Sequence, residues 1–518
     1  MKKLLFPLLL VIALAANAQQ NPLLDQAFWR NNPNVDAVKA EIAKGNDPFQ
    51  SNASAFNPVV MAINGNAPLD VVKYMLELPK ADINAITHDS RSYLHWAAMR
   101  GNVELIEYLL SKKAKTDFLD NRGNTPFLAL ASGGQQNTKV YELFTASGLD
   151  IKKEVNQDGA NALLLAIAND KEFKLIDYFV SKGLSLKSVD AAGNNAFAYV
   201  ASTGDIEKLK TVLAKGVPVS QQAMLMVAQG GGARRGPAPA GGAVPAVSPL
   251  AIYEYLESVG VKPTTTSKTG QNLLHYLVRR AGGNDLVKYI IGKGVNVNAA
   301  DEDGITPLMA AASGNNDTTM LALLLPQIKN IDQANAKGQT ALSLAVQSNS
   351  LPVINYLIGK GADVKVLDKK GNNLVYYAFE GYRGGGGRGG FGGPGAPGAA
   401  APTADLDAKF ELLRSKGLNI TAPQQDGNTL YHLAVAKNNQ ALVQHFQSLN
   451  IDINAKNKEG ITALHKAAMI AKDTTMMNYL VSIGAKKDAK TGFEETAYDL
   501  AAANETLTKN KVSITFLK

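Results

Sequence analysis

Six histidines and no cysteine bound the chemistry open to this chain of 518 residues. Without cysteine there are no disulfides, no thiolate metal sites and no thiol nucleophile. Histidine is the side chain best suited to act as a general base or a metal ligand near neutral pH. Four of the six, His95, His275, His432 and His465, occupy one recurring place, as in Tyr93-Leu94-His95-Trp96-Ala97-Ala98 and Ala463-Leu464-His465-Lys466-Ala467-Ala468. Only His432 and His465 fall in adjacent copies of that phrase, which sets them about one helix layer apart, ~8–10 Å. Ligands that share a metal sit ~2.0–2.1 Å from it. The four rings are therefore expected to bond backbone in an adjoining turn. His88 and His445 stand alone, and there is no H-E-x-x-H helix and no P-loop. The glycine runs do not lie between a strand and a helix of a βαβ unit, so they do not read as phosphate cradles. No catalytic residue, metal site or cofactor is assigned, and the chain does not read as an enzyme.

The elements that carry those histidines repeat. A glycine precedes each small-residue segment: Gly123, Gly159, Gly193, Gly270, Gly304, Gly338, Gly371, Gly427, Gly460 and Gly492. Neighbouring spacings run from 32 to 36, apart from gaps of 77 and 56. A fixed period of this size signals a stacked solenoid. A Thr or Asn follows each glycine, as at Thr306, Thr340 and Thr462, where its side chain can accept from free N–H groups at a helix start. Proline comes next at Pro126 and Pro307, where its missing N–H costs little. Small residues then predict a helix that packs closely on its neighbours. A second, bulkier helix comes after it, as in Val353-Ile354-Asn355-Tyr356-Leu357-Ile358, with apolar residues at helical spacing. It closes on Lys-Gly at Lys182-Gly183, Lys293-Gly294 and Lys360-Gly361, a C-terminal stop matched to the helix dipole.

These phrases resemble the ankyrin repeat: a turn glycine, a T-P-L-H-x-A-A helix, then a V-V-x-L-L-L-x-x-G-A-D helix. The resemblance covers nearly all of the chain after residue 18, with about thirteen copies from Asp36 to Ala485 and a cap built from Thr496 to Asn504 and the C-terminal residues after it. It implies an all-α solenoid of helix-turn-helix repeats joined by β-hairpin-like turns. It also implies protein–protein recognition through hairpin tips and the exposed side of the small-residue helices. Carried over by position, the binding residues are His88, Asp89, Arg91, Arg122, Asn124, Ile305 and Ile461 at tips, and Met99 and Arg100 on the helix. Arg91 and Arg100 beside Tyr93 and Trp96 form the candidate hot spot, because Trp, Tyr and Arg dominate such sites. The pattern departs from the family at Ser90, which replaces the turn glycine, and where Asn-Ala or Asn-Leu replaces Thr-Pro.

Two insertions interrupt the period, at residues 229–248 and 381–402. Their 42 residues hold 17 of the 46 glycines, four arginines (Arg234, Arg235, Arg383 and Arg388) and no acidic residue. Composition predicts flexible loops. Each comes after a small-residue helix and precedes a bulky one, so it emerges on the edge opposite the hairpins. The arginines offer a second kind of binding, to an anionic polymer or an acidic surface.

The chain opens with Met1-Lys2-Lys3, an apolar run from Leu4 to Ala15, and the small-residue site Ala16-Asn17-Ala18. That is the pattern of a secretory signal peptide spanning residues 1–18, leaving a solenoid over 19–518. The expected destination is across the inner membrane, the periplasm in a Gram-negative cell. Without Lys2 and Lys3, 51 basic residues face 45 acidic ones, a modest excess for this length that argues against general nucleic-acid binding. No later segment is apolar enough for stable membrane insertion. The expected product is an exported monomer that binds another protein.

Overall fold

The computed structural model describes residues 21–230, 249–280, 282–382 and 403–518. The expected signal segment therefore lies outside the described residues, as do nearly all of both insertions and the arginines Arg234, Arg235, Arg383 and Arg388. Among the described residues there are 28 α-helices and no strands; they fall into fourteen successive pairs of an inner and an outer helix, most inner ones rich in small residues and most outer ones in bulky residues. This is the all-α solenoid that the repeat pattern predicts. The chain divides into two units, Met1–Lys262 and Pro263–Lys518. In each, most successive inner helices stack on one another, as Pro307–Gly314 does on Ala341–Ser348.

One repeat shows how the sequence builds this. The turn before the helix Pro307–Gly314 is closed by Asp301, whose N–H donates to the Ile305 carbonyl at 2.9 Å and whose Oδ1 accepts from the Ile305 N–H at 2.8 Å. Gly304 completes it at φ +76°, which a residue with a Cβ adopts only with strain. Thr306 then caps the helix, its Oγ1 accepting from the Met309 N–H at 3.3 Å. Successive hairpins are stitched tip to tip by backbone bonds, such as Ala336 N–H to the Asp303 carbonyl at 2.8 Å and Lys369 N–H to the Lys337 carbonyl at 3.0 Å. Isolated antiparallel bridges at Val155–Asn161, Val189–Asn195 and Lys490–Thr496 give the hairpin-like character.

Three features differ from the sequence pattern. In the last hairpin the left-handed residue is Glu494, at φ 65°, not Gly492. Counting from Glu494 restores the period, and Gly492 lies two positions earlier in the turn. Ser90 takes the left-handed conformation in place of the missing glycine, with Asp89 beside it, both at φ 59°. The helix Leu374–Gly381 extends one residue into the expected second insertion, and the next helix starts at Ala404.

The two ends are closed by local caps. Trp29, 1% exposed on the first inner helix, donates its indole N–H to the Leu23 carbonyl at 2.8 Å and packs against Gly65, at the end of the next inner helix. At the far end Leu517 is buried and the Lys487 ammonium donates to the carbonyl of Phe516 at 3.0 Å. Between repeats, at the turn joining inner to outer helix, buried asparagines act as clasps. Asn349 Nδ2 donates to the carbonyls of Ala312 and Asn315 at 2.8 and 3.0 Å, one repeat upstream, and Asn315 does the same to Val278 and Arg280. A side-chain amide suits this place because it offers two donors to the orphan carbonyls at a helix end.

Candidate functional site

Each of the four repeated histidines has both ring nitrogens engaged. At His465 the Thr462 N–H donates to Nδ1 at 3.1 Å, so Nδ1 holds a lone pair, and Nε2–H donates to the Ala489 carbonyl at 2.9 Å. His275 and His432 repeat the arrangement on the carbonyls of Ile305 and Ile461 at 3.0 and 2.8 Å, and His95 on that of Asn124 at 3.1 Å. The ring is thus fixed as the neutral Nε2–H tautomer, assigned by which groups surround it. It joins the start of its own helix to the next hairpin. Such rings have no lone pair to give a metal and no free site for a substrate proton.

Burial holds all four histidines below their ordinary value, because desolvation disfavours the imidazolium. Above pH ~6.5 the ring is neutral folded and unfolded, and its contribution to stability is fully present. Below that, the unfolded chain takes up protons the native rings refuse, so stability falls, by up to ~1.4 kcal/mol per pH unit per histidine. Denaturant midpoints measured from pH 7.5 to 5 should therefore drop, and His465→Ala should remove part of the slope. A flat profile would contradict the buried neutral rings.

His88 stacks on Phe56 with centroids 4.3 Å apart, and its Nδ1–H donates to the Ser54 carbonyl at 2.8 Å. His445 pairs through Nε2 with Asp407 at 2.7 Å. Among the described residues no three His, Asp or Glu side chains gather as a metal site. Two shallow surface pockets, one beside Thr306 and Ile331 and one beside Ala467 and Met476, are lined by no histidine.

The expected hot spot takes a different form. Tyr93 and Trp96 are 1% and 7% exposed and lie inside the repeat stack. The Tyr93 hydroxyl accepts from Asn57 Nδ2 at 2.8 Å, and burial pushes that phenol up to about 12. The Trp96 indole N–H donates to Thr87 Oγ1 at 2.9 Å. Arg91 is 8% exposed, its guanidinium 4.9 Å from the Trp96 ring centre and bridging Asp89 at 3.3 Å and Asp120 at 3.6 Å. Asp120 closes the next hairpin, accepting from the N–H groups of Arg122 and Asn124. Tyr93, Trp96 and Arg91 therefore lock one hairpin to the next, and the structure places them in the core rather than on a surface. Asn124 is buried too, and Ile305 and Ile461 are half-buried with their carbonyls on His275 and His432.

The surface left open to solvent is narrower. Met99 is 40% exposed at the end of the inner helix Tyr93–Arg100, and beside it the exposed Arg100 donates through Nε to Asn64 Oδ1 at 3.1 Å. Arg122 is exposed at its tip, while His88 and Asp89 are half-buried. Sequence reasoning missed a row of exposed aliphatic side chains on four consecutive hairpins, Ile86, Leu119, Val155 and Val189. Its signal was available: each directly precedes the residue that closes its hairpin, namely Thr87, Asp120, Asn156 and Asp190.

Comparison with known proteins agrees with this architecture. The family model for ankyrin repeats matches three times, at residues 23–120, 58–153 and 260–368. The chain is 27% identical over 222 residues to neurogenic locus notch homolog protein 1 of Xenopus tropicalis, covering 40% of this chain and 8% of that protein. It is 29% identical over 150 residues to an ankyrin repeat protein of Acanthamoeba polyphaga mimivirus, covering 26% of this chain and 20% of the viral protein. It is 22% identical over 368 residues to the human transient receptor potential cation channel subfamily A member 1, covering 67% of this chain and 31% of the channel. The chain thus spans less than a third of the length of each. It carries ankyrin repeats.

Proposed function

We propose that the chain is an exported, non-catalytic scaffold that holds another protein against the hairpin tips and the exposed ends of its inner helices. The observation that carries this reading is the division of labour in the repeat around residue 95. Its aromatic and charged residues Arg91, Tyr93 and Trp96 are spent on locking hairpins together, while Met99 and Arg100 stand exposed on that rigid frame. An exposed Met–Arg pair on a fixed helix end suits recognition, since ordering it costs little side-chain entropy beyond its own rotamers. Export rests on Lys2-Lys3, the apolar run and Ala16-Asn17-Ala18.

Two exposed positions allow a test that leaves folding intact. Met99→Glu with Arg100→Glu should reduce capture of the partner at least tenfold in crosslinking on intact cells, with the thermal melt unchanged, while the same mass spectra should show a chain beginning at Gln19. Undiminished capture would overturn the assignment of the face; an N-terminus at Met1 would overturn export. The second reading, binding of an anionic polymer through Arg234, Arg235, Arg383 and Arg388, is favoured by the absence of acidic residues from both insertions. It would show as affinity that falls steeply with salt and is lost when those four become alanine.

A further inference from the structure

The exposed aliphatic row belongs to neither the core nor the Met99–Arg100 face. Ile86, Leu119, Val155 and Val189 are 53%, 54%, 49% and 57% exposed, on four successive hairpins of the first unit. At the same place the second unit has Thr266, Ala300, Ala334, Leu367, Pro423, Lys456 and Lys490. Only Leu367 there is a comparable exposed aliphatic. A continuous row of large apolar side chains is thus confined to one stretch, bounded upstream by Ser51 at the equivalent position. Single exposed apolar residues are ordinary, but aligned ones mark an interaction surface.

The charges beside the row have an order. Burial alternates along the first arms of the second, third and fourth hairpins, so there the residue two before the aliphatic one shares its outward face, and Asn84 holds the same register in the first. Those residues are Asn84, Asp117, Lys153 and Lys187, in chain order. Three positions after the aliphatic one, at the tips, stand Asp89, Arg122, Asp158 and Ala192. The two middle hairpins therefore carry opposite signs at both places: Asp117 against Lys153, and Arg122 against Asp158. Asp117, Lys153, Arg122 and Asp158 are all exposed. Asp117, Arg122 and Asp158 form no ion pair with a described residue, and Lys153 has only a 3.6 Å contact with the exposed Asp150.

This is the pattern of a surface that is complementary to itself when reversed. A two-fold axis lying in the interface, along the hairpins and between the two middle ones, runs the rows antiparallel. It sets Leu119 against Val155 of a second copy and Ile86 against Val189. The same operation sets Asp117 against Lys153 and Arg122 against Asp158, each pair formed twice, as an isologous interface requires. We propose that a second copy of this chain docks here, giving a weak antiparallel dimer through hairpins 82–93 to 187–196. The monomer expected from the sequence would then be its dilute state. Four half-exposed side chains and their flanking charges fall short of the ~800 Å² per partner of a standard interface, so the affinity is on the order of micromolar. Self-association leaves Met99 and Arg100 for a different protein and is measured without one, so its failure and that of the scaffold reading are separable.

The test is sedimentation velocity on the purified full chain from ~1 to ~200 µM. The expected result is a concentration-dependent shift from monomer to dimer. Leu119→Glu, at an exposed site, should abolish the shift with an unchanged thermal melt. Asp117→Lys should weaken it about tenfold, because two attractive pairs become repulsive, and Asp117→Lys with Lys153→Asp should restore it. Only the antiparallel register yields that rescue. A chain monomeric at every concentration, a dimer that survives Leu119→Glu, or a double variant no better than the single one would each overturn the proposal. If Leu119→Glu perturbs folding, the charge-swap pair decides alone.

Discussion

Leu464→Ala is expected to destabilise the second unit by ~2–5 kcal/mol, and to do so unevenly. The side chain is 1% exposed within the helix Ala463–Ile470, between the inner helices Leu430–Ala436 and Ala497–Ala502. Truncation removes its transfer free energy and leaves a cavity that helices held by close small-residue contacts cannot collapse to fill. In a repeat array the stability resides in neighbour-to-neighbour interfaces, so the loss should spread outward from the damaged one. Hydrogen exchange should show amide protection falling first over 430–502 and least in the first unit. A uniform loss along the whole chain would mean the repeats fold as one cooperative block, contrary to the nearest-neighbour account.

Gly338→Ala should cost more than its own strain. Gly338 has φ +83°, where any Cβ costs roughly 1–2 kcal/mol. A Cβ there would also stand 2.5 Å from the Lys369 nitrogen and 2.9 Å from the Asp368 carbonyl carbon, both backbone atoms of the next hairpin. That hairpin must withdraw, and the bond from Lys369 N–H to the Lys337 carbonyl goes with it. Gly361 is the control: its φ is +94°, but nothing lies within 4 Å of its Cβ position. Chemical denaturation should place Gly361→Ala ~1–2 kcal/mol below the parent and Gly338→Ala ~3 kcal/mol or more below it. Equal losses would show that the hairpin contact contributes nothing.

The sequence made the helices legible because their signals are local. Thr306, Pro307 and the alanines after them specify a capped, thin helix from within one window, and Lys360-Gly361 specifies its partner's end. The histidines were expected to bond backbone in an adjoining turn, and their Nε2 atoms do so, as His465 does on Ala489; the second bond, from the Thr462 N–H to Nδ1, was not anticipated. Most features that escaped were set by a neighbouring repeat. Trp96, Tyr93 and Arg91 have the composition of a binding hot spot, but the following hairpin, through Asp120, turns them into filling and a clasp. Asn349 looks like any polar residue before a helix until the carbonyls one repeat upstream are placed against it. Gly492 reads as the turn residue because glycine is the usual one, whereas Glu494 occupies the left-handed position. The aliphatic row failed to stand out because its members are 33 to 36 residues apart and each, alone, is ordinary.

The central claim is that function lies on the surface of the repeats. Crosslinking with mass spectrometry on intact cells, comparing the full chain with one lacking residues 231–248 and 383–402, tests it most directly. The account predicts that both capture the same partner, with crosslinks mapping to the inner-helix ends and hairpin tips. Capture lost with the insertions would contradict it and move the function to Arg234, Arg235, Arg383 and Arg388.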